Sequence, residues 1–445
     1  MEQTGSLRLS INKQTLAIIA ILTGTFLVPV NSTMITIGLA SITETFSTTL
    51  TNVSWVVTIY LIIMIVTQPI AGKLGDMYGN RNMFLIGLVL FLVASIVCIY
   101  AQNLTMLIIG RAIQAIGGAL ISPNATAILR FITPQQQLAK IFGLFGFTMS
   151  IGAAIGPLLG AFLINMWGWH STFWINIPLA TLSLVCSYKF LPMIDRKKNT
   201  ALDLLGSALL SIFLATTVLL VTYSMYLNLS MWLIIAISFG LFIYREKTYA
   251  HPLIDFALFN HMSFTSANLF ILLNNGIMYS TLLLMPIMLA IDSHFTIAEI
   301  GLLLFVFSIS ISIFSWVGGN IDQKLGRTKT IGLSFCCSAL ALCLYFLLPS
   351  SESFVVAASI LFFSGIGSGL GVPSMQAASL QAVEKEKSGV ASGIYSTFRY
   401  IGSTAAAVII SLQISYTITI ITLISCALIG IIIATFMHRV QLKIE

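Results

Sequence analysis

The sequence predicts an all-α protein that crosses a membrane many times, and three observations predict it. First, 58% of its 445 residues are hydrophobic and only 8% are charged, with a mean hydropathy of +0.99. A water-soluble domain carries about 25% charged residues, and no globular packing hides this much apolar surface, so the solvent is lipid. Second, the apolar residues come in unbroken runs of about 20, the length of a membrane-crossing helix, instead of the alternating runs of about 10 of a barrel strand. In lipid every backbone polar group must bond internally, which a continuous helix achieves. Third, Lys and Arg occupy every second loop.

Fourteen spans follow in order. Span 1 (near 15–40) follows a polar start with Arg8 and Lys13 and shows no small-residue cleavage site, so no removable signal peptide is expected. Spans 2 (52–71) and 3 (82–101) enclose Lys73 and Arg81, and spans 4 (104–128) and 5 (138–164) enclose Arg130 and Lys140. Span 6 (170–191) leads into Lys189, Arg196, Lys197 and Lys198; spans 7 (202–222) and 8 (229–245) lead into Arg245 and Lys247. Spans 9 (263–290) and 10 (297–317) precede Lys324, Arg327 and Lys329. Spans 11 (329–349) and 12 (353–378) precede Lys385 and Lys387, and spans 13 (387–412) and 14 (415–437) end at Arg439 and Lys443. The alternate loops lack Lys and Arg, and of 21 basic residues only Arg111 and Arg399 fall well inside spans, the others lying in loops or at span ends. By the positive-inside rule both termini are cytoplasmic. The net charge of +7 is this orienting bias, so no nucleic-acid partner is expected.

The spans group as six, two and six: a bundle over 1–198, two inserted helices over 199–250 and a second bundle over 251–445. The halves echo each other. The loop after span 2 reads GKLGDMYGNR from Gly72 to Arg81, and that after span 10 reads GGNIDQKLGR from Gly318 to Arg327. Duplicated six-span halves are a transporter architecture.

Few residues carry chemistry. The six cysteines lie in apolar runs without Cys-x-x-Cys spacing, the five histidines are scattered, and no nucleotide-binding loop is present. No cofactor, metal or enzymatic activity is expected. In the Gly72-x-x-Gly75-Asp76-x-x-Gly79-x-Arg81 loop, glycines allow a tight turn and close helix approach. Asp76 suits a helix N-terminus, and Arg81 suits a carboxylate or a lipid phosphate. Arg111 and Arg399 are costly charges inside spans and, with Gln114, the candidate coupling residues. Arg111 either faces the bundle interior, sharing a face with Gln114, or snorkels to the membrane surface. Gly152, Gly156 and Gly160 recur every four residues and form a packing stripe, with Pro157 allowing a bend.

These motifs resemble those of the major facilitator superfamily. The Gly72–Arg81 loop looks like its signature between spans 2 and 3, Arg111-x-x-Gln114-x-x-Gly117 is similar to its proton-translocation motif, and Gly152–Gly160 resembles its antiporter motif. The stretch Trp167-Gly-Trp169-His170 to Asn176-Ile-Pro178, the glycines from Gly365 and the Gly389–Gly402 stretch resemble the fourteen-span drug:proton antiporters, the Gram-positive multidrug exporters among them. The resemblance covers nearly the whole chain. It implies that Asp76 caps span 13 near Ser388 and Gly389, that Arg111 couples proton release to substrate binding, and that the Gly152–Gly160 stripe lets the halves close. One position departs: where that branch carries a membrane Asp in span 1, this chain has Asn31, which hydrogen-bonds but does not titrate.

A substrate cavity is expected from Asn31, Gln68, Asn274, Asn275, Met278, Tyr279, Met375 and Gln376, because methionine, amide and aromatic surfaces adapt to varied ligands. Asp292 and Glu299 form an acidic cluster on the outer side that is either a proton site or a solvated loop. The implied function is proton-driven export of small amphiphilic antimicrobial compounds, dyes and fluoroquinolones included, across a bacterial cytoplasmic membrane by a monomer embedded in lipid. Export of a single endogenous solute, or coupling to another ion, remains open.

Overall fold

The computed structural model describes residues 11–193, 201–222, 228–250, 252–254, 256–292, 295–348, 353–411 and 415–442. Among them the regular structure is helical: α1 Ile11–Ile37, α2 Leu39–Thr45, α3 Leu50–Val53, α4 Trp55–Tyr78, α5 Asn80–Ile99, α6 Leu104–Ile132, α7 Leu138–Trp167, α8 Ser171–Trp174 and α9 Asn176–Phe190. There follow α10 Leu204–Thr222, α11 Leu229–Thr248, α12 Met262–Asp292, α13 Ile297–Leu325, α14 Arg327–Leu344, α15 Phe354–Leu370, α16 Val372–Gln381, α17 Ser388–Ser411 and α18 Tyr416–Leu442. Short 3-10 turns join several of them.

Among the described residues every expected span is largely helical, but the segments are not equally suited to cross a bilayer. Among the described residues eleven are long and apolar enough by length and composition. The segments expected at 170–191, 202–222 and 387–412 are not among the eleven. The first is broken between α8 and α9, the described residues of α10 give an apolar stretch of Leu204–Leu220, short of a full span, and α17 carries Arg399 among hydroxyl residues.

The stretch Gly72–Arg81 is helix rather than loop. α4 continues to Tyr78 and α5 begins at Asn80, so the reversal needs a single residue, Gly79, at φ +95°. Only glycine adopts that backbone without strain. The second copy behaves alike: α13 continues to Leu325 and α14 begins at Arg327, with Gly326 at φ +83°. The sequence echo is thus an echo of two single-glycine reversals. Span 12 is broken at Gly371, with Pro373 in the first turn of α16, where its missing N–H costs nothing.

The chain divides into two compact units. One comprises Met1–Pro134, Gly152–Phe256 and Glu384–Ser396. In it α5 and α4 pack on α6, α1 packs on α9, and α10 lies between α11 and α4. The other comprises Gln135–Ile151, Ala257–Val383 and Thr397–Glu445, with α13 and α14 on α15, α18 on α14 and α12 on α16. The helices α7 and α17 each contribute one part to each unit.

Candidate functional site

In the first unit the Gly79 reversal lies against the start of α17. A Cβ on Gly72 would overlap the Gly389 carbonyl, and a Cβ on Gly389 would overlap the Gly72 carbonyl, so the two backbones touch only because both residues are glycine. One turn on, the Asp76 carboxylate accepts the N–H groups of Gly389 (2.8 Å) and Val390 (2.9 Å). Those are orphan donors of the first turn of α17, where the helix dipole favours an anion. The expected cap near Ser388 and Gly389 is therefore present in the geometry. Gly75 gives room to Asn124: a Cβ there would overlap its amide oxygen, which accepts from Asn80 at 3.1 Å. Asn124 in turn donates to the carbonyls of Ala71 and Leu120. Arg81 donates to the Tyr188 carbonyl at 2.7 Å, a protein partner in place of the expected carboxylate or lipid phosphate.

Sequence reasoning passed over several neighbours. Arg130, at the end of α6, donates to Ser388 Oγ (2.8 Å) and the Glu384 carbonyl (3.1 Å), and Thr126 is hydrogen-bonded to Ser392. Lys73 donates to the Pro252 carbonyl at 2.8 Å. Arg245 embraces Asp203 at 3.0 Å, and the buried Glu246 accepts the N–H groups of Leu253 (3.2 Å) and Ile254 (2.7 Å). Burial pushes the Asp203 carboxyl up, but the Arg245 hydrogen bond and the Gly206 N–H outweigh it and hold the group below its usual value. One signal was available: Asp203 stands immediately before an apolar run, the place of an N-cap.

Arg111 is fully buried, which decides between its two expected positions in favour of the interior. Its Nε donates to the Val56 carbonyl (3.2 Å), its Nη1 to Gln114 (2.6 Å) and to Asn31 Oδ1, and its guanidinium lies 4.1 Å from the Tyr60 ring centre. Gln114 donates to Ser95 Oγ (2.9 Å), which also accepts from Asn176 (3.2 Å) and donates to the Phe91 carbonyl. One network thus joins α1, α4, α5, α6 and α9. Val56 and Cys98 beside it belong to an apolar cluster with Ile35, Leu107, Trp169 and Phe173, which keeps water from this end. Trp169, in the expected aromatic motif, donates to Thr45 (3.1 Å) and stacks on His170, whose imidazole burial holds below its usual pKa.

The Gly152–Gly160 stripe faces α1. A Cβ on Gly152 would come within 3.0 Å of Pro29, one on Gly156 would overlap Thr33, and one on Gly160 would stand 2.9 Å from the Met34 carbonyl. α7 remains helical through Pro157.

The expected cavity residues are mostly buried, and they split between the units. Asn31 is taken up by Arg111, and Gln68 is buried with neither amide atom hydrogen-bonded. In the second unit Asn275 donates to the Arg399 carbonyl and to Ser403 (both 2.8 Å), and Asn274 donates to the Ser368 carbonyl (2.9 Å). Met278 and Tyr279 are half-buried, while Met375 and Gln376 are buried. Arg399 is half-buried, 5.4 Å from the Tyr400 ring. Of the outer acidic pair, Glu299 closes a capping box with Thr296 at the start of α13, and the side chain of Asp292 lies outside the described residues.

Comparison with known proteins follows the same lines. The model of the Major Facilitator Superfamily matches residues 21–407. The chain is 43% identical over 428 residues to the uncharacterized MFS-type transporter YvkA of Bacillus subtilis, covering 96% of each. It is 28% identical to the multidrug resistance protein Stp of Mycobacterium tuberculosis, covering 88% of this chain and 74% of that one. It is 26% identical to the riboflavin transporter RibZ of Clostridioides difficile, over 86% and 84% of the two chains. Among solved structures, the human organic anion transporter MFSD10 shares the fold at a TM-score of 0.69 and 14% identity, covering 95% of this chain and 99% of that one. With its many apolar helices and this match, the chain is a multi-pass membrane transporter, not an enzyme, and it belongs to the major facilitator superfamily.

Proposed function

We propose that this chain is a secondary active exporter of small amphiphilic compounds, driven by the proton gradient across the bacterial cytoplasmic membrane and working by alternating access. The observation that carries the reading is the Arg111 network. A charge stands where a membrane protein bears a cost of a few kcal/mol for it, and it belongs to a hydrogen-bonded network that spans five helices, its own included. An event at one member therefore biases the arrangement of the others, which is what coupling requires. The Gly72–Gly389 contact with the Asp76 cap is proposed to hold one access state, and the Gly152–Gly160 stripe to let helices close on the other side. Multidrug resistance proteins among the relatives support the substrate class.

The same reading takes all fourteen helical segments as spans, both termini as cytoplasmic, and the division 1–198, 199–250 and 251–445 as two bundles and an inserted pair, in a monomer of the fourteen-span branch. A second reading, a dedicated exporter of one solute, is favoured by the neutral Asn31 beside Arg111 and by a riboflavin transporter among the relatives.

The test is efflux of ethidium and norfloxacin from cells expressing the chain, with and without a protonophore, beside an Arg111→Ala variant. Efflux of both, lost with protonophore and with the substitution, is the expected result. Absence of both from well-expressed protein overturns the multidrug reading.

A further inference from the structure

We infer that Arg111 is the receptor for an anionic group which the chain itself does not provide: the carboxylate of a substrate or a small inorganic anion. The word substrate here rests on the exporter reading; the anion site does not.

A guanidinium stays protonated in proteins, and a buried charge is stable only when it is paired and its hydrogen bonds are met. Arg111 is buried, yet every acceptor it reaches is neutral: the amide oxygens of Asn31 and Gln114 and the Val56 carbonyl. No carboxylate among the described residues lies within ion-pair distance of it. The ionisable side chains that face it are Tyr60 and Cys98, both neutral at physiological pH. The two amide oxygens converge on one nitrogen, Nη1, and leave Nη2 buried with no hydrogen-bond partner.

The arrangement therefore combines a net positive charge, an open donor and a dry surrounding. The apolar cluster that includes Val56 and Cys98 lowers the local dielectric, which strengthens attraction for an anion. A guanidinium edge matches a carboxylate or another small oxyanion. Tyr60 lies over the guanidinium, its ring centre 4.1 Å away, which leaves the unpaired Nη2 as the point of contact for an anion. The neutral amide at position 31 is the specificity determinant: a carboxylate there would occupy the guanidinium and exclude an anion.

Thermal unfolding of the purified full-length protein tests this with three preparations: the unaltered chain, Asn31→Asp and Arg111→Gln. The probes are norfloxacin, which carries a carboxylate, its methyl ester, which does not, and sodium phosphate against sodium chloride at equal ionic strength. Asn31→Asp is expected to unfold at a higher temperature than the unaltered chain without ligand, because it brings the counter-charge inside. Norfloxacin is expected to raise the midpoint of the unaltered chain by about 3 °C more than its ester, and that difference is expected to vanish in Asn31→Asp. The same difference seen with phosphate over chloride assigns the site to an inorganic oxyanion. A midpoint in the unaltered chain that responds to neither pair more than in Asn31→Asp overturns the proposal, whether or not Arg111→Gln folds. Transport is read separately in energised vesicles: anion-dependent stabilisation without movement of any probe leaves the anion site standing and removes the exporter reading.

Discussion

Each unit holds one arginine inside a predicted span, and the two are treated differently. Arg111 is withdrawn from solvent and bonded through its side chain to a carbonyl and two amides, under an aromatic ring. Arg399 is half-buried; what its surroundings use is its backbone carbonyl, which accepts from Asn275. The first is held by its charge, the second by its place in α17. What separates the two in the structure is how many acceptors other helices bring to the guanidinium.

The largest expected effect breaks this comparison at its stronger side. Arg111→Ala removes the charge from a network that spans five helices, and transport is expected to fall at least about 100-fold, whereas Arg399→Ala is expected to lower it by about tenfold or less. Initial efflux rates at matched expression decide, and equal losses would erase the distinction. Next comes Gly389→Leu, whose side chain meets the Gly72 carbonyl and the Asp76 carboxylate. It is expected to cost more activity than Asp76→Asn, which keeps the shape but removes the charge at the helix terminus and turns one of the two accepting oxygens into a donor, leaving one N–H of α17 unpaired at a cost of about 1–3 kcal/mol. Within the second unit, Asn275→Leu loses two hydrogen bonds and leaves the Arg399 carbonyl without this donor, for a loss of about 1–3 kcal/mol read from thermal unfolding.

The smallest effect concerns the Asp203–Arg245 pair. Asp203 is held below the usual carboxylate value when folded, so its contribution is present at neutral pH and lost as pH falls through that lowered value. Asp203→Asn is expected to lower the unfolding midpoint slightly at pH 7 and to match the unaltered chain in acid below the ordinary carboxylate range. A difference that persists in acid would assign the effect to packing.

Much of the fold was legible because apolar runs and charge placement act locally. The glycine pairs were legible for the same reason: Gly79 and Gly326 mark the two reversals, and the stripe Gly152, Gly156, Gly160 marks a close contact. The position of Asp76 at a helix start was readable from its type, but the buried end of the Arg130 side chain was not. A basic residue near a span end reads as a loop charge, and only the approach of Glu384 and Ser388 turns it inward. The expected cavity fared differently. Asn31, Asn274 and Asn275 bond to neighbours in the structure, because an amide in a span meets its hydrogen-bonding needs with whatever packs against it.

By itself, then, the sequence determined that the chain is helical and membrane-embedded, and it marked one turn motif that occurs twice. Those properties follow from average hydropathy, helix length and repeated local motifs, each contained within some twenty residues. Only the tertiary structure decided which charges are buried, and which partner each one has. Arg111 against Asn31 and Gln114, and Asp76 against the start of α17, join residues up to hundreds of positions apart. Hydrogen bonds are made across less than 3.5 Å, a distance on which sequence separation has no bearing.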